Sequence, residues 1–318
     1  MRTYELHASF KQIKRADGRS SVAAAAYRSA TRQLDERTGE ISDYTRKLGV
    51  EATELFVPAD APEWALDRSQ LWNAVEQKEN RKNSMLAREL EIGFPAEFDQ
   101  QQRLEAGRAI ARQLVAKHGV AVDVCWHSPG KEGDHRNYHA HILFTGRAVN
   151  AEGWEKKKYR DFNNGLMEVD GERTTKGKQT VKAWRLSVAD TFNQISRRDG
   201  LEVTTEHLSF KERGLEKVPT VKLGFGAHQM EQRGIQTERG NLNRRIHEVN
   251  RAILERFKQT RLAVEIEKGK DKFRQKFADY KKERALQREL ELQRERTRQQ
   301  ELDISRKRTR RRDRGLER

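Results

Sequence analysis

Three histidines carry the densest chemical information in this sequence. In the stretch CWHSPGKEGDHRNYHAHILFTGR, His127 closes one strand-like run, a Gly-rich turn follows, and His139 and His141 stand two residues apart in the next run. Side chains alternate along a strand, so His139 and His141 share one face while Ala140 and Ile142 take the other. Two imidazoles on one face make half of a metal site. Pairing of the two runs as antiparallel neighbours sets His127 beside them, giving three nitrogen ligands and leaving positions for water or substrate oxygens. A lone His-x-His pair is more often a satisfied core feature than a ligand pair; the third histidine and the polar turn tip the balance toward a divalent metal. His135, in the turn, is assigned to surface or substrate contact.

Two further features could act on such a centre. In MLARELEIGF, Glu89 and Glu91 share a strand face opposite Leu90 and Ile92. They are either a solvated edge, or acids that orient a metal-bound imidazole or accept a proton. Tyr27 lies in the Ala-rich helical stretch GRSSVAAAAYRSATRQ. Tyrosine on such a helix usually packs, yet small neighbours also let a phosphate backbone approach closely. Tyr44, in ISDYTRK, is its rival. The single cysteine, Cys125, excludes an intramolecular disulfide and any cysteine-based zinc cluster.

The elements that must hold these groups follow from patterning. TYELHAS, MLARELEIGF, VAVDVCWHS and YHAHILFTG read as strands. SVAAAAYRSATRQL, the stretch around APEWALDRSQLWNAVEQKE, AEFDQQQRLEAGRAIARQLVAKHG and TVKAWRLSVADTFNQISRRDG read as helices. Without a βαβ repeat, the expected class is α+β, an antiparallel sheet flanked by helices. Residues 150–180 are polar and rich in Lys and Gly, and read as a long loop or hairpin over a binding face. Near residue 225 the composition changes to almost unbroken helix formers, dividing residues 1–225 from a basic helical extension at 226–318.

Over 318 residues, 65 Lys and Arg oppose 49 Asp and Glu, a net charge of +16. From Arg251 to Arg318 the count is 24 against 13, net +11, so only +5 remains for residues 1–250. A polyanionic partner is expected, with nucleic acid ahead of a membrane surface. The extension has the composition of a solvated helix with i,i+4 charge pairs, its apolar positions too sparse for a coiled coil, and it carries the cluster RKRTRRR. No run approaches the roughly 18 apolar residues of a membrane span. The start MRTYELHASF lacks the apolar run of a signal peptide, so a cytoplasmic location is expected.

Taken in order, GRSSVAAAAYRSA, DERTGEISDYTRK, ELEIGFPAEF, HSPGKEGDHRNYHAHILFTGR, KAWRLSVADTFNQ, HLSFKERGLEKVPTVKLG and HQMEQRGIQTERGNLN resemble the successive blocks of the MobA/MobL family of plasmid relaxases, over roughly residues 1–245. The resemblance implies a sheet-and-helix fold shared with replication initiators that carry a His-hydrophobic-His motif, matched here by His139-Ala140-His141. It further implies Tyr27 as nucleophile, His127, His139 and His141 as metal ligands, and Glu89 or Glu91 as the supporting acid. The implied reaction is transesterification on one DNA strand at a transfer origin, with a 5′-phosphotyrosyl link and later religation. The implied partners are single-stranded and duplex origin DNA, accessory relaxosome proteins and a type IV secretion coupling protein, and the protein would travel with the DNA into the recipient cell. Mg²⁺ and Mn²⁺ lead as metals, with Zn²⁺ or Ni²⁺ behind them. A single-stranded target calls for phosphate contacts and stacking aromatics. Arg28 and Arg32 beside Tyr27, and Lys156, Lys157, Lys158, Tyr159 and Arg160 in the polar segment, are the expected contacts. The block HQMEQRGIQTERGNLN is either a helical turn closing over DNA or a hinge. Two other readings compete: a metal-dependent phosphodiesterase using water, and a non-catalytic DNA-binding accessory protein.

Overall fold

The computed structural model describes residues 2–130, 134–162, 166–169 and 172–313. They form two compact units, residues 1–208 and 209–318. That division precedes the change of composition near 225, which coincides instead with the first helix of the second unit.

The first unit is built on a sheet whose strand order is β2 (Ala8–Lys14), β6 (Met85–Gly93), β8 (His139–Asn150), β7 (Val120–His127) and β5 (Val50–Phe56), with β9 (Gly153–Lys158) also pairing β8. Every pairing in it is antiparallel. The alternation along β8 assigns its faces. Ala140, Ile142 and Phe144 join the larger core with α3 (Gln100–His118) and α4 (Lys176–Arg198). Leu143 joins a second core with α1 (Ser21–Ser29) and α2 (Arg68–Lys78). His141 and His139, two and four residues before Leu143, share the α1 and α2 face.

Local chemistry explains the helix limits. Asp99 and Gln102 form a reciprocal capping box at the start of α3, and Gly119 ends it at φ 62°, a left-handed value that glycine adopts without strain. Asp67 caps α2 by accepting from the Gln70 N–H, preceded by a short 3₁₀ turn at Glu63–Leu66. The expected helix over SVAAAAYRSATRQL is shorter than its composition suggests. α1 stops at Ser29, Ala30 turns left-handed at φ 54°, and Arg32–Asp35 becomes β3, paired with β4 (Glu40–Asp43). TYELHAS likewise divides. β1 (Arg2–Glu5) pairs in parallel with β12 (Val203–Glu206), while β2 enters the main sheet. The Arg185 guanidinium donates to the carbonyls of Leu6, Ala8 and His207, fixing the break between the two strands.

In the polar segment 150–180, expected as a long loop or hairpin, the described residues are mainly strand and helix, and residues 163–165, 170 and 171 lie outside them. β9 returns beside β8, β10 (Leu166–Val169) pairs with β11 (Glu172–Thr175), and α4 begins at Lys176 under a Thr175 cap. In the second unit, α5 (Phe225–Gln232) ends at a turn containing Gly234, φ 79°, and α6 runs from Glu238 to Asp313. The block HQMEQRGIQTERGNLN is thus a helix, a turn and the first residues of α6. No helix among the described residues is long and apolar enough to cross a membrane.

Candidate metal centre and nucleophile

Antiparallel pairing of β7 and β8 puts His127 directly opposite His139, and Cys125 opposite His141. The three imidazoles consequently converge. One nitrogen from each of His127, His139 and His141 lies within 4.8 Å of the others. Each ring has a second partner that fixes its orientation. His127 Nε2 donates to the Arg28 carbonyl at 2.7 Å, His139 Nδ1 to the Asn137 carbonyl at 2.9 Å, and His141 Nδ1 to Glu89 Oε1 at 2.6 Å. A neutral ring held in this way has a lone pair on its other nitrogen. Burial pushes His127 down to about 3 and lowers His139 as well, so both are neutral at pH 7. Neutral, oriented imidazoles form the donor set of a divalent transition metal, and the chemistry of these residues fits such an ion.

The two acids occupy different positions. Glu89 is wholly buried on β6, where Arg28 grips it through two bonds of 2.7 Å. Burial would raise its carboxyl, but the bonds from His141 and Arg28 outweigh that and hold it at about 2. Burial opposes charge on Arg28 too, and the Glu89 bond more than restores it. Glu91, two residues along the same face of β6, is only partly buried. The His7 imidazole, 3.6 Å away, and the Lys11 ammonium hold its carboxyl far below the usual range, and it lies 3.9 Å from His141 Nδ1. No motif in the sequence singles out His7 or Lys11. Lys11 stands across from Glu89 in the register of β2 on β6. The carbonyls of Arg28 and Asn137 left no sequence signal at all.

Tyr27 lies in the last turn of α1, adjacent to Arg28, and its side chain is 47% exposed. Its ring meets Tyr44 edge-on with centroids 5.2 Å apart. Lys47 Nζ sits 3.8 Å from the Tyr27 ring centroid and donates to the Tyr27 carbonyl at 2.8 Å. Both tyrosines therefore stand together, and Arg28 connects that corner to Glu89 and His127.

The remaining expected contacts separate by exposure. Arg32 is exposed on β3, 4.0 Å from Asp43. Lys156, Lys157 and Arg160 are exposed. Lys158 is turned inward, binding Glu79 at 2.7 Å and the Met85 carbonyl at 2.6 Å. Tyr159 stacks on His118 at 5.1 Å, and burial pushes its phenol up. Arg28, bound to Glu89 and to the Ala24 carbonyl, has its guanidinium directed into the protein. His135 is exposed.

The protein is thus of the α+β class, an antiparallel sheet with helices on both faces that bears a His-hydrophobic-His pair and a third histidine on the adjoining strand, as the family resemblance implied. The chain belongs to the MobA/MobL family, whose model matches residues 19–233. It is 33% identical over 273 residues to the mobilization protein MobL of Acidithiobacillus ferridurans, covering 79% of this chain and 68% of that protein. It is 34% identical over 266 residues to the conjugal transfer protein TraA of Agrobacterium fabrum, covering 73% of this chain but 22% of TraA. A solved structure described as the molecular basis of vancomycin resistance transfer in Staphylococcus aureus is 30% identical, with a TM-score of 0.56 over 65% of this chain and the whole of that one.

Proposed function

We propose that this protein is a plasmid relaxase that nicks one DNA strand at a transfer origin through Tyr27 and rejoins it after transfer. The observation that carries the reading is the linkage of Tyr27, through its neighbour Arg28, to both Glu89 and His127 of the three-histidine cluster. The Tyr27 oxygen attacks the scissile phosphorus, the bond to the 3′-oxygen breaks, and a 5′-phosphotyrosyl link forms. The released 3′-hydroxyl reverses the step, which is why a covalent link suits strand transfer better than hydrolysis. His127, His139 and His141 would hold a divalent ion, Mn²⁺ or Mg²⁺ ahead of Zn²⁺ or Ni²⁺, which when bound supplies positive charge for a non-bridging phosphate oxygen. Glu89 orients His141 and is the supporting acid. Arg28 positions Glu89 and the His127 ring instead of touching phosphate. Glu91, kept ionised by His7 and Lys11, adds negative charge 3.9 Å from His141 Nδ1.

A phenol with a pKa of about 10 is a weak nucleophile at pH 7 and needs help from such neighbours. The single strand is held by Arg32, Lys156, Lys157 and Arg160, while Lys158 and Tyr159 fix the shape of the segment that carries them. The helical extension, 226–318 in the sequence division, adds contacts to duplex DNA, accessory proteins or a secretion coupling protein. The protein acts in the bacterial cytoplasm and travels with the transferred strand.

The test is a labelled single strand containing the origin. The wild-type chain yields a protein–DNA adduct that survives denaturation, and Tyr27→Phe abolishes it while binding persists. An undiminished adduct in Tyr27→Phe with loss in Tyr44→Phe would move the nucleophile to Tyr44. Nicked product without adduct would indicate a phosphodiesterase, and binding without cleavage in any divalent metal an accessory protein.

A further inference from the structure

Beside the histidine cluster the protein has a cavity of about 310 Å³, lined by Tyr4, His7, Gly93, Asn137 and Tyr138 with the two guanidinium groups of Arg2 and Arg136. Two of its walls are shared with the proposed catalytic centre. The Asn137 carbonyl fixes the His139 ring, and His7 lies 3.6 Å from Glu91. The backbone is closed around it by bonds from the Gly93 N–H to the His7 carbonyl and from the Phe94 N–H to the Tyr138 carbonyl. Glycine at 93 keeps it open, since a Cβ there would come within 2.9 Å of the Tyr4 hydroxyl and 3.3 Å of the His7 Cβ. Its aromatic walls are preset. Arg103 covers the Tyr138 ring at 3.8 Å, and Tyr4 is buried deeply enough that its phenol is pushed up to about 12.

We propose that this cavity receives one unstacked nucleobase of the single strand, next to the phosphate presented to the histidines. The proposal rests on the nicking reading. Aromatic rings supply stacking that any base can use, and Asn137 offers an amide for a base edge. Among the described residues the only acid lining it, Asp134, is bound to Arg136 at 2.7 Å and 2.9 Å, so little unpaired negative charge repels the strand. Because the chain runs from the cavity wall at Asn137 directly into the ligand His139, a base seated there registers the strand against the metal centre. Such a site would make the nucleotide beside the nick a determinant of where cleavage falls.

The experiment uses the full chain as Tyr27→Phe, so that binding is read without cleavage, and a labelled origin strand with abasic substitutions placed one nucleotide at a time. One or two positions flanking the nick should lose about tenfold or more in affinity. In Asn137→Ala and Tyr138→Leu, combined with Tyr27→Phe, that loss should shrink at those positions and no others. Gly93→Ala, which narrows the cavity, should do the same. A uniform profile, a profile unchanged in the three cavity variants, or no binding of the strand overturns the proposal. The nicking reading is judged separately, by adduct formation in the chain that retains Tyr27 and in the same cavity variants. Adducts at unchanged positions in those variants would leave nicking standing and the base pocket refuted.

Discussion

Glu89 lies between the Arg28 guanidinium and the His141 imidazole and binds both, so one carboxylate orients a proposed metal ligand and the turn that carries Tyr27. Glu89→Gln removes a charge from the partner of a mostly buried arginine and weakens the orientation of His141. Calorimetric titration with Mn²⁺ should show metal affinity falling about 10–100-fold, the usual effect of losing such an outer partner. An unchanged affinity would leave Glu89 a structural acid only. Metal binding itself can be read without DNA. Mn²⁺ at about 100 times its dissociation constant should stabilise the wild-type fold by about 2.7 kcal/mol, seen as a rise in Tm that chelator reverses and His139→Ala abolishes. Of this cluster, the shared faces of His139 with His141 and of Glu89 with Glu91 were legible from spacing alone. The division of labour between the acids was not, because both share one face of β6 and only the arrival of Arg28 from α1 and Lys11 from β2 separates them.

α1 and α2 are joined by another buried acid, Glu76, which accepts from the Ser21 N–H at 2.6 Å and its hydroxyl at 2.8 Å and pairs with Arg15 at 2.5 Å. Burial would raise its carboxyl, but the bonds from Arg15 and Ser21 lower it below the ordinary value. A carboxyl lowered on folding contributes stability that is present above its unfolded value, near 4.5. That stability disappears as pH falls through the folded value. Glu76→Gln should cost about 2 kcal/mol at pH 7 and flatten the acid limb of the stability curve, measured by urea unfolding from pH 7 to pH 3. An acid limb as steep as the wild type's would assign the effect to other carboxyls. On the other face of the sheet, Gly107 lets α3 lie against Trp126, where a Cβ would meet the indole at 2.5 Å. Gly107→Ala should destabilise by about 1–3 kcal/mol despite alanine's better helix propensity, because the overlap is with a fully buried ring. Patterning gave helices α1 to α4 and strands β6, β7 and β8, and missed β5 and β12. Element ends were less legible. The Ala-rich run implied a longer helix than α1, and the pairing of β3 with β4 overrode that preference.

Net charge suggested nucleic acid, but its distribution separates two tasks. The C-terminal 68 residues from Arg251 hold +11 of the total +16. Across the first unit many basic groups are already bound to acids, as Arg68 is to Asp123 and Arg108 to Glu54. Removal of residues 251–318 should therefore weaken duplex binding and flatten its dependence on salt, by about 0.9 in log–log slope for each phosphate no longer neutralised. Unchanged slopes would assign the extension to protein contacts.

Side-chain alternation needs only the residue order, so the sequence sufficed to put His139 with His141 and Glu89 with Glu91 on common strand faces and to give the α+β class. Strand pairing across long separations decided the rest. It brought His127 opposite His139, drew Arg28 from a helix 61 residues away to Glu89, and set His7 and Gly93 around a cavity next to the histidines. Those arrangements depend on register and on backbone carbonyls, which every residue carries and which no residue type announces.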